Sequence, residues 1–398
     1  MNVFKIVDLF SGAGGLTFGF YYKIRKNSFV RNRQFNFLFA NEYNVDAVKA
    51  FKLNFKDIPL IEGDISNITE KKLQEENICG DVDLIIGGPP CQSYSTVGKR
   101  QYDQRAKMYH EYTRLLSITQ PKIFIFENVK GLLSMKNDNG EPVINDIKKL
   151  FDDIHNDGSL GYDIVQSVLN AKDFGVPQNR ERVFLIGLKK GLNLNWSFPE
   201  PTHGIDELLE DYITIENAIS DLPNLIPGET SNNYNSNMTT PYISLMRDKS
   251  NELFDHSCGI HGAKMTEIMK IVPEGEGKNY INSLVKAGRL KKEYYLTSGY
   301  GNTYGRLWWK KPSTTITNSF GSPSSLRCIH PREDRPLTTR EGARLQSFPD
   351  WFKFHGGKTQ KNSQIGNAVP PLMAIHLAKS ALKTLKDYKL LEKDNNGR

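Results

Sequence analysis

The sequence predicts a doubly wound α/β domain on a mostly parallel sheet, joined to a second, smaller, loop-rich domain. Three observations carry that expectation. Short runs of Ile, Val, Leu and Phe alternate with helical patterns through the first 190 residues, which is how strands covered on both faces read. The first run ends in a glycine-rich segment, Ser11-Gly12-Ala13-Gly14-Gly15. After Gly191 the texture changes to recurring prolines (Pro199, Pro201, Pro223, Pro227) and polar stretches such as SNNYNSN.

In order, VFKIVDLF reads as the first strand, followed by a helix near Leu16–Arg25 and a second strand in FNFLFANEY. A helix follows in VDAVKAFKLNF, with Val45, Val48 and Phe51 on one face. DVDLIIGG, KIFIFENV and RVFLIGL are further buried strands. Residues 191–330 are expected to hold mixed short elements. Helical periodicity returns over 335–385 in TTREGARLQSF and PPLMAIHLAKSALKTL, and the tail LLEKDNNGR is expected to fray. No internal repeat is visible at a period of 20–50 residues.

A chain of 398 residues has room for about two domains. Four scattered cysteines are too few for a disulfide framework and fit a reducing compartment. The start of the chain does not read as a signal peptide, and no apolar run approaches the length of a membrane span, so a cytoplasmic protein is expected. Lys and Arg exceed Asp and Glu by seven, and residues 240–345 alone hold 17 basic against 10 acidic side chains. The excess is therefore local, the footprint of a polyanion binder or a chance surface bias.

The glycine-rich segment falls between strand one and helix one, at the carboxyl end of the sheet where such folds bind ligands. It is neither a dinucleotide fingerprint nor a P-loop, since no Gly-Lys-Ser/Thr follows. Glu42, ending strand two, can accept hydrogen bonds from ribose hydroxyls, and Asp64, in Gly63-Asp64-Ile65, can reach an adenine ring. Each alone is more often a surface carboxylate; in this order they outline a pocket for an adenosine-containing cofactor. Gly87-Gly88-Pro89-Pro90-Cys91-Gln92-Ser93 follows the buried run DLII and projects Cys91 into the same crevice. Cys91 is a soft nucleophile if Lys99, Arg100 or a helix N-terminus lowers its pKa, and otherwise a small buried hydrophobe. Glu127, in Phe126-Glu127-Asn128-Val129, ends an apolar strand, where burial can raise its pKa for proton donation. Arg180 and Arg182 share one face of an extended segment and can grip a phosphate or carbonyl oxygen, or form surface ion pairs. Gln364–Pro371 is expected to open the last helix, with its amides and Asn367 facing a carboxylate.

Together these blocks resemble the bacterial-type cytosine-C5 DNA methyltransferases. DLFSGAGGL, GGPPCQSYS, FENVKGL, QNRERVFLIG, LTTREGARLQSFPD and QIGNAVPP appear in the family's order and spacing. The resemblance implies a Rossmann-like class I methyltransferase domain over 1–190 and 335–390, and a target-recognition domain over 191–334. It implies S-adenosyl-L-methionine as cofactor, surrounded by Phe10, Gly12, Gly14, Leu16, Glu42, Tyr43, Asp64, Ile65, Pro90 and Asn367. It makes Cys91 the nucleophile at cytosine C6 and Glu127 its partner, with Arg182 on the cytosine carbonyl and Arg180 in support. Gln92 and Ser95 are implied to touch DNA near an extruded base.

Within the recognition segment, Arg306, Thr314, Thr315 and Arg327 are the candidates for DNA contact. The Trp308-Trp309 pair is expected to form a small core rather than to stack on bases. His256, Cys258 and His261 with Cys328 or His330 match no strong zinc spacing, and no metal is expected. The expected activity is sequence-specific methylation of double-stranded DNA in a restriction–modification system, by a nucleoid-associated bacterial monomer paired with a cognate restriction endonuclease. The alternatives are a transfer-RNA cytosine methyltransferase and a non-catalytic DNA-binding regulator. An oxidoreductase leaves the PPCQ and ENV blocks unexplained, and a cytosine deaminase lacks its zinc signature.

Overall fold

The computed structural model describes residues 2–76, 78, 81–89, 108–137, 139–154, 161–234 and 239–396. Its centre is a seven-stranded sheet built from Phe4–Leu9 (β1), Phe35–Glu42 (β4), Leu60–Glu62 (β5), Leu84–Gly87 (β6), Ile123–Val129 (β7), Tyr162–Asn170 (β8) and Glu181–Lys189 (β9). The spatial order is β5-β4-β1-β6-β7-β9-β8, and only β9 runs antiparallel to its neighbours. The strand order reverses between β1 and β6, so a crevice opens past their carboxyl ends.

Alternate side chains of the central strands serve two cores. Phe4 and Ile6 of β1, Ile86 of β6 and Ile125 of β7 join one; Val7, Leu9, Ile85 and Phe124 join the other. The first face is covered by Gly15–Tyr21 (α1) and Pro371–Asn396 (α12). A Cβ on Gly19 would meet the Ala374 backbone at 2.1 Å, so glycine is what lets α1 press onto α12. The second face carries Glu70–Glu75 (α3), Met108–Thr119 (α4) and Val143–Asp152 (α5).

Several expectations change. The helix drawn to Arg25 stops at Tyr21. Tyr22–Arg25 (β2) instead turns through Lys26 and Asn27, both left-handed at φ 50° and 55°, and pairs with Ser28–Arg31 (β3). Two successive positive-φ residues are the geometry of a tight hairpin. In the helix Val45–Asn54 (α2), Val48 and Phe51 are buried but Val45 is exposed. Gln364–Asn367 closes a separate helix, Lys358–Asn367 (α11), instead of opening the last one. The tail is helical through Asn396.

The segment after Gly191 is divided. Ile215–Ile219 (α6), Pro241–Arg247 (α7), and the residues Leu307, Ile316 and Phe320 share the large core. Ala263–Ile271 (α8) and Lys278–Lys286 (α9) have a small core of their own, Ile268, Val272, Ile281 and Leu296. Thr339–Leu345 (α10) is buried along its whole length. Its Arg344 makes paired hydrogen bonds to Asp221 beyond α6 and to Asp350 (2.7–3.0 Å). That network joins the segment after Gly191 to the C-terminal part of the α/β domain.

Candidate active site

Beyond β1 the backbone turns through Phe10, Gly12 and Gly14 at φ 58°, 58° and 97°. A left-handed Phe10 costs about 1 kcal/mol or more and marks a loop whose shape is imposed by its surroundings. Gly14 must lack a side chain, because a Cβ would sit 2.2 Å from the Phe55 ring. Above Gly12 the space is open.

Three ties draw the expected cofactor residues together. The Gly12 amide donates to Glu42 Oε2 at 2.8 Å, the Ser11 amide donates to Asn41 O at 3.0 Å, and the Gly63 amide donates to Glu42 O at 2.9 Å. Glu42 also accepts from the Asn44 amide at 2.8 Å. Burial pushes its carboxyl up, against the backbone amides that pull it down. Tyr43 next to it is 69% exposed, an aromatic face open to solvent. Asp64 is exposed, and the Ser66 amide holds its carboxyl below the usual range. Leu16 and Ile65 are buried, so their side chains serve the cores. Asn367 is exposed at the end of α11 and donates to Ser363 Oγ at 3.3 Å; two residues on, Val369 O would lie 2.5 Å from a Cβ on Gly15.

Sequence reasoning missed a buried pair under this loop. The Thr17 hydroxyl of α1 donates to Asp8 Oδ2, while Asp8 Oδ1 is buried without a hydrogen-bond partner. Desolvation pushes the Asp8 carboxyl up to about 8, so it is mostly protonated at neutral pH. Asp8 lies inside the DLF block, but only the burial of its strand shows it to be neutral.

The second half of the site lies on β7 and β9. Glu127 Oε1 and Arg182 Nε are 3.1 Å apart, each side chain 12% exposed. Burial pushes the Glu127 carboxyl up, and the guanidiniums of Arg182 and Arg180 pull it partly back. Glu181, between the two arginines, points the other way and pairs with Lys130. The buried Arg180 donates to Ile316 O (3.0 Å), Gly366 O (2.9 Å) and Ala368 O (3.0 Å). It thereby ties the start of β9 to the end of α11. The Gly88 backbone lies against Glu127, and the Asn128 side-chain Nδ2 donates to Pro89 O at 3.3 Å. Pro90, Cys91, Gln92 and Ser95 lie outside the described residues.

Of the recognition candidates, Arg306 is corrected. Its buried guanidinium donates to Val272 O, His330 O and Glu333 O, to Met269 O, and to the Asp334 carboxylate. It is a strut with its donors engaged, not a group offered to DNA. Arg327 donates to Glu276 O and Arg306 O and stacks over Trp308, with 4.3 Å from guanidinium carbon to ring centroid. Thr315 is half-buried and donates to Asn179 O at 2.9 Å, which sets it beside Arg180; Thr314 is half-buried beside Arg327. Trp309 packs on the large core. Both ring nitrogens of His256 are taken, by Thr338 Oγ1 and Pro223 O, so it has no lone pair to offer a metal. His330, Glu333 and Glu341 converge, but Arg335 already bridges the two carboxylates.

The family model for C-5 cytosine-specific DNA methylases matches residues 4–383. The chain is 33% identical to the Type II methyltransferase M.DdeI of Desulfomicrobium norvegicum, over 98% of this chain and 91% of that one. It is 33% identical to M.NgoPII of Neisseria gonorrhoeae, over 97% of both. Among solved structures it is similar to a prophage-encoded DNA modification methyltransferase of E. coli, with a TM-score of 0.70 and 27% identity over 96% of this chain and 99% of that one. A DNMT2 of Spodoptera frugiperda, at 17% identity and a TM-score of 0.57 over 96% and 99% of the two chains, shares the fold.

Proposed function

The chain belongs to the C-5 cytosine-specific DNA methylase family, and from that membership we infer that it methylates cytosine C5 at a short site in double-stranded DNA. The donor is S-adenosyl-L-methionine, which when bound supplies an electrophilic sulfonium methyl. The residues present fit it. The Glu42 carboxylate has lone pairs left for ribose hydroxyls, the exposed Tyr43 ring and Asp64 suit the adenine, and the space above Gly12 is open. Phe10, Gly14, Leu16, Ile65, Pro90 and Asn367 complete the proposed set.

The observation that carries the reading is the Glu127–Arg182 pair, set against the Gly88-Pro89 segment that leads into Cys91. The target carbon is stacked inside the duplex, so the base must leave the helix to reach these groups. We assign Cys91 as the nucleophile. Its thiolate bonds to C6, and the displaced electron pair passes toward N3 and O2. Glu127, held toward the protonated form by burial, donates a proton or hydrogen bond at N3, and Arg182 stabilises charge at O2. Arg180 positions Arg182 by anchoring the strand before it. Transfer of the methyl from the bound donor to C5 would break its sulfur–carbon bond and leave a neutral thioether; N3 then returns its proton to Glu127, the C5 proton passes to solvent, and expulsion of the Cys91 thiolate restores the C5=C6 bond.

Residues 191–334 are assigned to target recognition, with Gln92, Ser95, Thr314 and Thr315 at the DNA. The enzyme acts as a monomer on the bacterial nucleoid, in a restriction–modification pair with a nuclease of the same specificity. Among the described residues no helix is long and apolar enough to cross a membrane. The test is transfer from labelled donor to mixed-sequence duplex DNA, with Cys91→Ser in parallel, nucleoside mass spectrometry and bisulfite mapping. The expected product is 5-methylcytosine at one motif, abolished by the substitution. Transfer to tRNA alone, or to neither nucleic acid, overturns the assignment.

A further inference from the structure

The basic excess of the recognition segment concentrates in residues 278–300, which carry Lys278, Lys286, Arg289, Lys291 and Lys292 against a single acid, Glu293. Lys278 is a strut: its ammonium donates to Gly299 O at 2.7 Å. The other four cations are exposed and make no ion pair among the described residues. Four exposed cations without an ion pair within seven residues concentrate a positive potential on one surface, which attracts a polyanion.

These cations sit on a built unit. Ile281 of α9 packs with Ile268, Val272 and Leu296 in a core separate from the two sheet cores. Asn282 clamps the Leu296 backbone from both sides, accepting from its amide at 2.8 Å and donating to its carbonyl at 2.9 Å. An open cavity of about 500 Å³ lies between the outer face of α9 and residues 295–297. Lys286 lines it, as does Asn279, whose exposed side-chain amide faces solvent and is free of protein partners among the described residues.

The unit is tethered to the catalytic centre by a continuous run of contacts. Arg182, on Glu127, follows Arg180, which holds Ile316; Thr315 donates to Asn179, and Thr314 to Arg327. Arg327 donates at 2.8 Å to Glu276, immediately before the residue that caps α9.

We propose that α9 and the turn after it form a second duplex-contacting surface, with Lys286, Arg289, Lys291 and Lys292 holding phosphates that flank the target cytosine and Asn279 reading a base edge. The proposal rests on duplex DNA being the substrate. It moves the point of recognition away from Arg306, which lies inside the segment's framework. A flexible ammonium or guanidinium on an exposed turn contacts phosphates whatever the sequence, whereas an unpartnered amide pairs with the donor and acceptor of adenine.

The test is the salt dependence of binding to a duplex bearing the mapped site and to one lacking it. Replacing all four cations with glutamine (K286Q, R289Q, K291Q, K292Q) should flatten the log-affinity against log-salt slope on both duplexes. The loss is about 0.9 per phosphate contact, so about 3–4 in all. Asn279→Ala should weaken only the site-bearing duplex, by roughly 5- to 150-fold. Melting temperature and donor binding verify that each variant is folded. A slope unchanged by the four substitutions overturns the phosphate role, and an equal loss on both duplexes overturns the reading role of Asn279. If the parent chain transfers no methyl group to any duplex, the proposed function fails with it; an active parent with unchanged slopes sinks this surface alone.

Discussion

Adding one carbon at Gly88 should damage catalysis while leaving the fold intact. Gly88 has no left-handed backbone, so alanine is conformationally allowed there. Its Cβ would sit 2.6 Å from Glu127 Oε2, and ordinary contact begins near 3.4 Å. The carboxylate must therefore retreat by roughly 0.8 Å, which its rotatable side chain can do without moving a strand. That retreat stretches the 3.1 Å pairing with Arg182 and carries Glu127 away from the cytosine edge proposed for it. A misplacement of about 1 Å at a reacting group costs up to 100-fold, so kcat should fall 10- to 100-fold, about 1.4–2.7 kcal/mol in the barrier. Gly87→Ala is the matched control, because there the new carbon meets the Leu9 backbone carbonyl at 2.6 Å and nothing flexible can yield. It should lower the melting temperature clearly. Single-turnover methyl transfer and thermal unfolding on both variants read the contrast. If Gly88→Ala keeps kcat within twofold, or loses stability as Gly87→Ala does, the proposed alignment of Glu127 against that glycine is wrong.

The neutral Asp8 makes a pH prediction. Its pKa is raised in the fold, so the native state holds an extra proton from about pH 4 to pH 8, and stability should fall with rising pH across that window. Asp8→Asn keeps the Thr17 contact without titrating; wild type should lose about 1 kcal/mol per pH unit relative to it between pH 5 and 7. Parallel denaturant curves that keep a constant gap would refute the assignment. Tyr43→Ala should raise the donor dissociation constant by roughly 2- to 12-fold with an unchanged melting temperature, as read by calorimetry. Arg306→Met leaves its carbonyl acceptors and Asp334 without their donor, and should cost about 3–5 kcal/mol in chemical unfolding. A stable Arg306→Met variant with a reduced salt slope would restore Arg306 to the DNA surface.

How much of this was legible beforehand depended on the kind of signal. β1, β4, β6, β7 and β9 were visible because strands buried on both faces are dominated by Ile, Val, Leu and Phe, even where a polar residue such as Lys5 or Asn36 interrupts them. β8 was missed because YDIVQSVLN is largely half-buried at the sheet edge, with Asp163 and Gln166 interrupting the run. β2 was read as the end of a helix because nothing in YKIRKN announces two left-handed residues without glycine. Glu42, Glu127 and Arg182 could be singled out because each lies near one end of a strand in the central sheet. Arg306 was misplaced for the opposite reason. An arginine reads as surface in any sequence, and the carbonyls that enclose it come from positions 269, 272, 330 and 333. Such a cage is a property of the folded chain and has no local pattern.

The contact between Gly19 and Ala374 has a consequence for how the molecule comes into being. The loop that ends β1 is synthesised well before its support, since the helix that follows it rests on a partner more than 350 positions later. A nascent chain therefore carries Cys91, Glu127 and Arg182 long before the abutment for α1 exists. Competence to modify DNA should appear late and abruptly during synthesis, once the region around Ala374 has emerged.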